Sequence, residues 1–240
     1  EVIGHEVEKT DLFLLPGGGA EQDPADWWRA ISTGAKKLLA RGLVPADRIV
    51  GIGVTAQWMG TVAIDRDGNH LANAIIWMDA RGGRYARRIT KGGPINVSGY
   101  SIPKLRRWLS ITGGLPSRTG KDSIGHILFI KNEWPDVYKQ TYKFLEPMDY
   151  LNYRLTGIPA ASYDTITGHW LTDNRRLSNV AYVDKLIALA GVDRGSARGL
   201  RDPGCGHGRG RAEEGRRGRL RRHPDGLQPS GRHGHRRDPQ

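Results

Sequence analysis

Near residue 194 the chain loses the capacity to build a packed core, and this break limits any fold to what precedes it. Residues 195–240 hold twelve Arg, eleven Gly and four His, with no Phe, Trp or Tyr. Their few apolar residues, Ala197, Leu200, Cys205, Ala212, Leu220 and Leu227, follow neither a helical nor a strand period. Such a segment buries too little surface to offset the ~1–2 kcal/mol per residue lost on ordering a backbone. The expectation is therefore a folded domain over residues 1–193 and a disordered Arg/Gly-rich tail over 194–240, open to early trypsin cleavage. Twelve Arg against five acids give the tail +7 of the chain's net charge of +12. The pI of about 10.1 thus describes mainly the tail.

Several classes are excluded. No stretch approaches the ~18 consecutive apolar residues of a membrane-spanning helix. Glu1–Lys9 is charged and lacks the apolar core of a secretory signal. A lone cysteine, Cys205, excludes an internal disulfide framework and a zinc site built from several cysteines of one chain. A reducing, cytoplasmic setting is the default expectation.

Within the first 193 residues the pattern predicts strands first and helices interleaved, an α/β or α+β domain. Glu1–Glu8 alternates as a strand with one exposed face, and Pro16-Gly17-Gly18-Gly19 reads as a turn. Asp23-Pro24 caps and opens a helix that Gly42 and Pro45 end. Ile49–Val54 is a short apolar run, the pattern of a strand buried on both faces. Thr61–Asp65 and Leu71–Trp77 flank Asp67-Gly68, a hairpin signal. Beyond residue 100 the period turns helical: Leu105, Trp108 and Leu109 share a face, as do Ile124, Ile127 and Leu128. Pro135 and Pro147 open further helices, and a last amphipathic stretch around Leu186 stops at Gly191.

The most informative stretch is GIGVTAQWMGTVAIDRDGNHLANAIIWMDAR, residues 51–81. Its two polar clusters, Gln57-Trp58-Met59 and Asp79 with Arg81, lie at predicted strand ends, where ligands of α/β proteins bind. An amide, a carboxylate and a guanidinium beside an aromatic face can hydrogen-bond a polyol and cover its C–H side. The same residues could equally cap a loop, pack, and form a surface ion pair. Spacing alone leaves both readings open. Asp65-Arg66-Asp67-Gly68 is not a calcium loop, because Ile76 stands where its last acidic ligand belongs.

The stretch resembles the FGGY carbohydrate kinases, which include xylulose, glycerol, gluconate and ribulose kinases. Their first domain carries a G-[IV]-[GS]-x-[ST]-x-Q segment, a D-x-x-G hairpin and an I-x-W-x-D-x-R element. These match Gly51–Gln57, Asp65–Gly68 and Ile75–Arg81. Further colinear matches lie before it at residues 21–28 and after it at 131–138, 144–151 and 154–157.

The resemblance implies an actin-like, RNase H-like first domain of a two-domain, ATP-dependent kinase acting on a sugar or polyol hydroxyl. In such kinases the two residues after the motif glutamine touch the sugar. Gln57, Trp58, Met59, Asp79 and Arg81 are thereby the expected substrate-binding residues, gathered at one rim of the core sheet. Trp58-Met59 matches neither the Arg-Glu of glycerol kinases nor the Met-His of xylulose kinases. Tyr100 and Gly120–His126 could border the pocket. ATP and Mg2+ are implied as cofactors, but the family's phosphate-binding D-x-G-T turn, its proton-accepting aspartate and its adenine-binding domain find no match here. The expectation is an incomplete first domain, inactive by itself, with no catalytic residue in this chain. Homo-oligomerisation stays open.

Three readings compete for the tail. A nucleic-acid arm would neutralise phosphates but has no aromatic for base stacking, so nucleic acid is not an expected partner. Metal binding through Cys205, His207, His223, His233 and His235 lacks a ligand spacing. Translation of a GC-rich gene in a shifted frame yields this composition and is the reading preferred. The alternative to a kinase is a non-catalytic sugar-binding module or a basic-tail nucleic-acid binder.

Overall fold

The computed structural model describes residues 1–193. The tail expectations, disorder and protease sensitivity included, lie outside the described residues. In chain order the elements are β1 Phe13–Leu15, β2 Gly19–Gln22, α1 Pro24–Ala40, β3 Val62–Ile64, β4 Ala74–Ile75 and α2 Gly83–Thr90. There follow β5 Asn96–Val97, β6 Tyr100–Ser101, α3 Ile102–Thr112, α4 Ser123–Glu133, α5 Pro135–Gln140 and β7 Lys143–Leu145. The last are α6 Pro147–Thr156, α7 Tyr163–Thr167, β8 Thr172–Asp173, β9 Ala181–Tyr182 and α8 Asp184–Ala190. Strands pair in the orders β1-β2-β4, β3-β7, β5-β6 and β8-β9.

Helix boundaries follow local chemistry. The Asp23 side chain accepts the Ala25 amide proton at 2.8 Å, capping α1, and Pro24 occupies the first turn. Asp122 does the same for α4 through the Gly125 amide at 3.1 Å. Both α5 and α6 open on the expected prolines, and α6 and α8 end on left-handed glycines, Gly157 and Gly191.

Strand β3 organises the core. Its alternation sends Val62 and Ile64 to one side, with Ala74, Ile76, Leu145, Trp27, Tyr150 and Leu151. Ala63 points to the other, with Ile75, Phe144 and the α4 residues Ile124, Ile127, Leu128 and Ile130. Helices α1 and α6 therefore cover one face of this layer and α4 the other. Trp108, buried completely, joins the α4 side, and its indole N–H donates to the Trp170 carbonyl at 3.1 Å.

The hairpin forms where expected. Asp65 N–H donates to Asn69 O at 2.9 Å, and the Asp65 carboxylate accepts the Asp67 and Asn69 amides at 2.9 and 2.8 Å. That Asx-type turn places Gly68 at φ 84°. Two other expectations fail. Residues 1–8 form no strand, and residues 49–54 belong to no regular element, with Val50 fully exposed and Ile52 74% exposed. A doubly covered strand needs a hydrogen-bonded neighbour and helices on both faces. None of the strand pairings among the described residues includes 49–54, and it is β3, beginning eight residues after Val54, that is covered on both sides.

Candidate functional site

The five residues singled out from the sequence fall into two groups, either side of β2. Gln57 follows the unpaired segment, and its Nε2 donates to Gln22 Oε1 at 2.7 Å. Trp58 is exposed, as are Trp77 and Met78. Met59 stands in a left-handed backbone, φ 60°, uncommon for a residue with a long side chain. Its amide donates to Glu146 Oε2 at 3.2 Å.

Asp79 and Arg81 form the second group, and both are withdrawn from solvent. Asp79 is fully buried, and Arg81's side chain is 14% exposed. Asp79 Oδ2 accepts from the Ala20 amide and from Arg81 Nε, each at 2.9 Å, while Oδ1 accepts the Arg81 amide at 2.9 Å. Arg81 reaches on to Glu21 at 2.6 Å and lies over the Phe129 ring, 4.4 Å from its centroid. This is a buried ion-pair network, not the surface pair that spacing also allowed. Glu21 and Gln22 are consecutive on β2 and so project to opposite faces. Arg81 thus meets one face of the strand and Gln57 the other.

His126, at the end of the stretch that could border the pocket, and two acids with no role read from the sequence connect these groups. His126 on α4 is buried completely, with Nδ1 3.2 Å from Thr61 Oγ1, just past the Met59 turn. Burial lowers His126 to about 4, and the charge of nearby Asp79 opposes that shift. Glu146, also buried, accepts from Ser123 Oγ at 3.0 Å as well as from Met59. Burial pushes it up to about 7. Asp149, one helical turn on, is raised to about 6 by burial and accepts the Ser162 amide at 3.1 Å. The signal for these residues was in plain view: a histidine inside the run Ser123–Ile130, and a glutamate between Leu145 and Pro147. Tyr100 donates to the Pro116 carbonyl at 2.9 Å, and Asp122 accepts from Trp170 Nε1 at 2.9 Å, so both are committed within the protein.

These groups fix how stability depends on pH. Folded Glu146 and Asp149 hold protons more tightly than in the unfolded chain, so acidification from pH 8 favours the fold. Folded His126 and His169, the latter also lowered to about 4 by burial, hold them less tightly, so acidification through their unfolded range opposes it. From about pH 8 to 6.3 the gain from the two carboxyls and the loss from the two imidazoles nearly cancel, so the unfolding free energy read from urea titrations should change by less than about 0.5 kcal/mol. Glu146→Gln should unbalance the two and uncover a fall on the order of 1 kcal/mol over the same range. Stability that climbs steadily with pH through 8 would contradict these assignments.

The fold and motif series define the first domain of a sugar-kinase architecture. Residues 1–197 match the N-terminal domain of the FGGY family of carbohydrate kinases, and the chain belongs to that family. It is 28% identical over 179 residues to a xylulose kinase of Bacillus subtilis (strain 168), covering 70% of this chain and 31% of that protein. It is 29% identical over 163 residues to the L-xylulose/3-keto-L-gulonate kinase of Escherichia coli (strain K12), covering 67% of this chain and 30% of that one. Among solved structures, a xylulose kinase of Brucella ovis superposes with a TM-score of 0.64 at 25% identity, over 78% of this chain and 35% of the other. A ligand-bound xylulose kinase of Lactobacillus acidophilus, at TM-score 0.63 and 18% identity over 79% of this chain and 35% of that one, shares the fold. The chain thus spans about a third of the length of these relatives.

Proposed function

We propose that residues 1–193 are the sugar-binding part of an ATP-dependent, xylulokinase-like carbohydrate kinase acting in the cytoplasm. The family match over residues 1–197 carries this reading, and the names of the relatives supply its substrate class, a ketopentose or related polyol. Gln57, Trp58 and Met59 are assigned to direct sugar contact: Trp58 offers an exposed aromatic face, and Gln57 is half-buried with an amide already oriented by Gln22. Asp79 and Arg81 act as the wall behind them, since the Asp79 carboxylate is bonded to protein donors, the Ala20 amide and the Arg81 amide and guanidinium.

ATP and Mg2+ are the cofactors the family implies. The described residues do not fit the metal ion: no group of three or more His, Cys, Asp or Glu among them could hold one. Asp79, Asp122 and Glu146 are buried and bonded to protein donors. No step of phosphate transfer is therefore assigned to these side chains.

The polypeptide of residues 1–240 is expected to bind sugar weakly and not to transfer phosphate. A half-open site leaves Gln57 and Trp58 hydrated, so each hydrogen bond to sugar replaces one to water. It also forgoes the orientation that a closed cleft supplies, worth ~7–11 kcal/mol of barrier. Titrating xylulose, glycerol and gluconate while following the Trp58 indole signal, alongside coupled ADP release, tests both parts. Xylulose should perturb Trp58 most, with no ADP released. Phosphorylated sugar from this polypeptide would overturn the second part. Perturbation confined to residues away from Gln57–Met59 would overturn the first.

A further inference from the structure

The left-handed backbone of Met59 needs something to hold it, because a non-glycine residue persists there only when its surroundings over-determine it. Glu146 is placed to do so. It is 2% exposed, and its two oxygens face different elements: Oε2 accepts the Met59 amide at 3.2 Å and Oε1 accepts Ser123 Oγ from α4 at 3.0 Å. The turn after α7 closes the third side. A Cβ added at Gly168 would stand 3.2 Å from Glu146 Oε1 and 3.4 Å from Met59 Sδ. One carboxylate is thus wedged between the Gln57–Met59 loop, the first turn of α4 and the end of α7.

We propose that Glu146 is the positioning residue of the Gln57–Met59 loop, its carboxylate fixing the Met59 turn and so the places of Trp58 and Met59 against the sugar. The inference rests on the reading that this loop meets the sugar. The charged groups facing Glu146 are Asp149, in the first turn of helix α6 that Glu146 precedes, and Asp164, on α7, whereas α4 presents Ser123 and the loop presents the Met59 amide. Burial first, and then the two acids, bring its titration to about 7. A protonated carboxyl is a weaker acceptor than a carboxylate, so the loop is held on the alkaline side of neutrality and slackens on the acid side.

The test follows the Met59 backbone amide by NMR in the full chain across neutral pH, with and without xylulose. The amide shift should move in one step with a midpoint of about 7. That step should vanish in Glu146→Gln and move to higher pH in Ser123→Ala, which removes a hydrogen bond to the ionised form. Should Glu146→Gln fail to fold, the parent and Ser123→Ala titrations still decide. Xylulose affinity should fall about tenfold from pH 8 to 6 in the parent, as the held fraction falls, and become independent of pH in Glu146→Gln. A flat Met59 titration, or one unchanged in Glu146→Gln, overturns the proposal. So does a Glu146-linked titration with sugar affinity equal at both pH values. Absence of sugar binding at every pH, with the titration intact, overturns the sugar reading of the loop and supports Glu146 as its anchor.

Discussion

Asp79→Ala is expected to destabilise the domain by about 3–5 kcal/mol, the range seen when one partner of a buried ion pair is removed. The carboxylate is fully buried and receives the Ala20 amide, the Arg81 amide and Arg81 Nε. Alanine would leave the guanidinium with Glu21 and the Phe129 ring, and would strand the Ala20 amide at a further ~1–3 kcal/mol if water cannot reach it. Because Ala80 N–H also donates to Gly18 O, the substitution would loosen the register between the Asp79 turn and the start of β2. Asp79→Asn keeps an acceptor for the Ala20 amide and should cost less. Urea unfolding followed by circular dichroism reads the difference. A loss under about 1 kcal/mol would mean that the pair behaves as an exposed one, against the burial described here.

This buried role shows where sequence reading succeeded and where it stopped. The W-x-D-x-R element marked Asp79 and Arg81 as a unit, and the unit exists. Their burial was not legible, because it depends on Glu21 and Phe129, which lie 60 and 48 positions from Arg81. Helix ends and the Asp67-Gly68 hairpin were legible because their determinants are local: Asp23, Pro135 and Pro147 act within one turn. The Ile49–Val54 strand was misread for the opposite reason. Its apolar run specifies what a strand would need, and neighbours on both sides must come from elsewhere in the fold. Helix α2 was missed because its sequence, GRYARRIT, is short and carries three arginines, and only Tyr85, Ala86 and Ile89 give its buried face an apolar mark.

The contact that seats α2 yields the second large effect. Gly82 and Gly83 at the start of α2, Gly120 before α4 and Gly125 within α4 bring two main chains together with no side chain between them. A Cβ at Gly120 would lie 2.1 Å from Gly83 N and 2.4 Å from Gly82 C, both backbone atoms that cannot rotate away. Gly120 also has φ 76°, a conformation costing roughly 1–2 kcal/mol for other residues. Gly120→Ala should therefore lose the strain term plus ~1–3 kcal/mol of overpacking, and it would push α4 away from α2. Gly113 separates the two terms: it ends α3 at φ 77° with nothing within 4 Å of an added Cβ, so Gly113→Ala should lose the strain term alone. Because α2 follows Arg81 directly and α4 carries Ser123 and His126, opening this contact should also disturb the Met59 amide through Ser123 and Glu146. Equal losses in the two glycine variants would show that the main chains are not in contact. A larger loss at Gly120, accompanied by a shifted Met59 amide, would tie the packing of α2 on α4 to the geometry of the sugar loop.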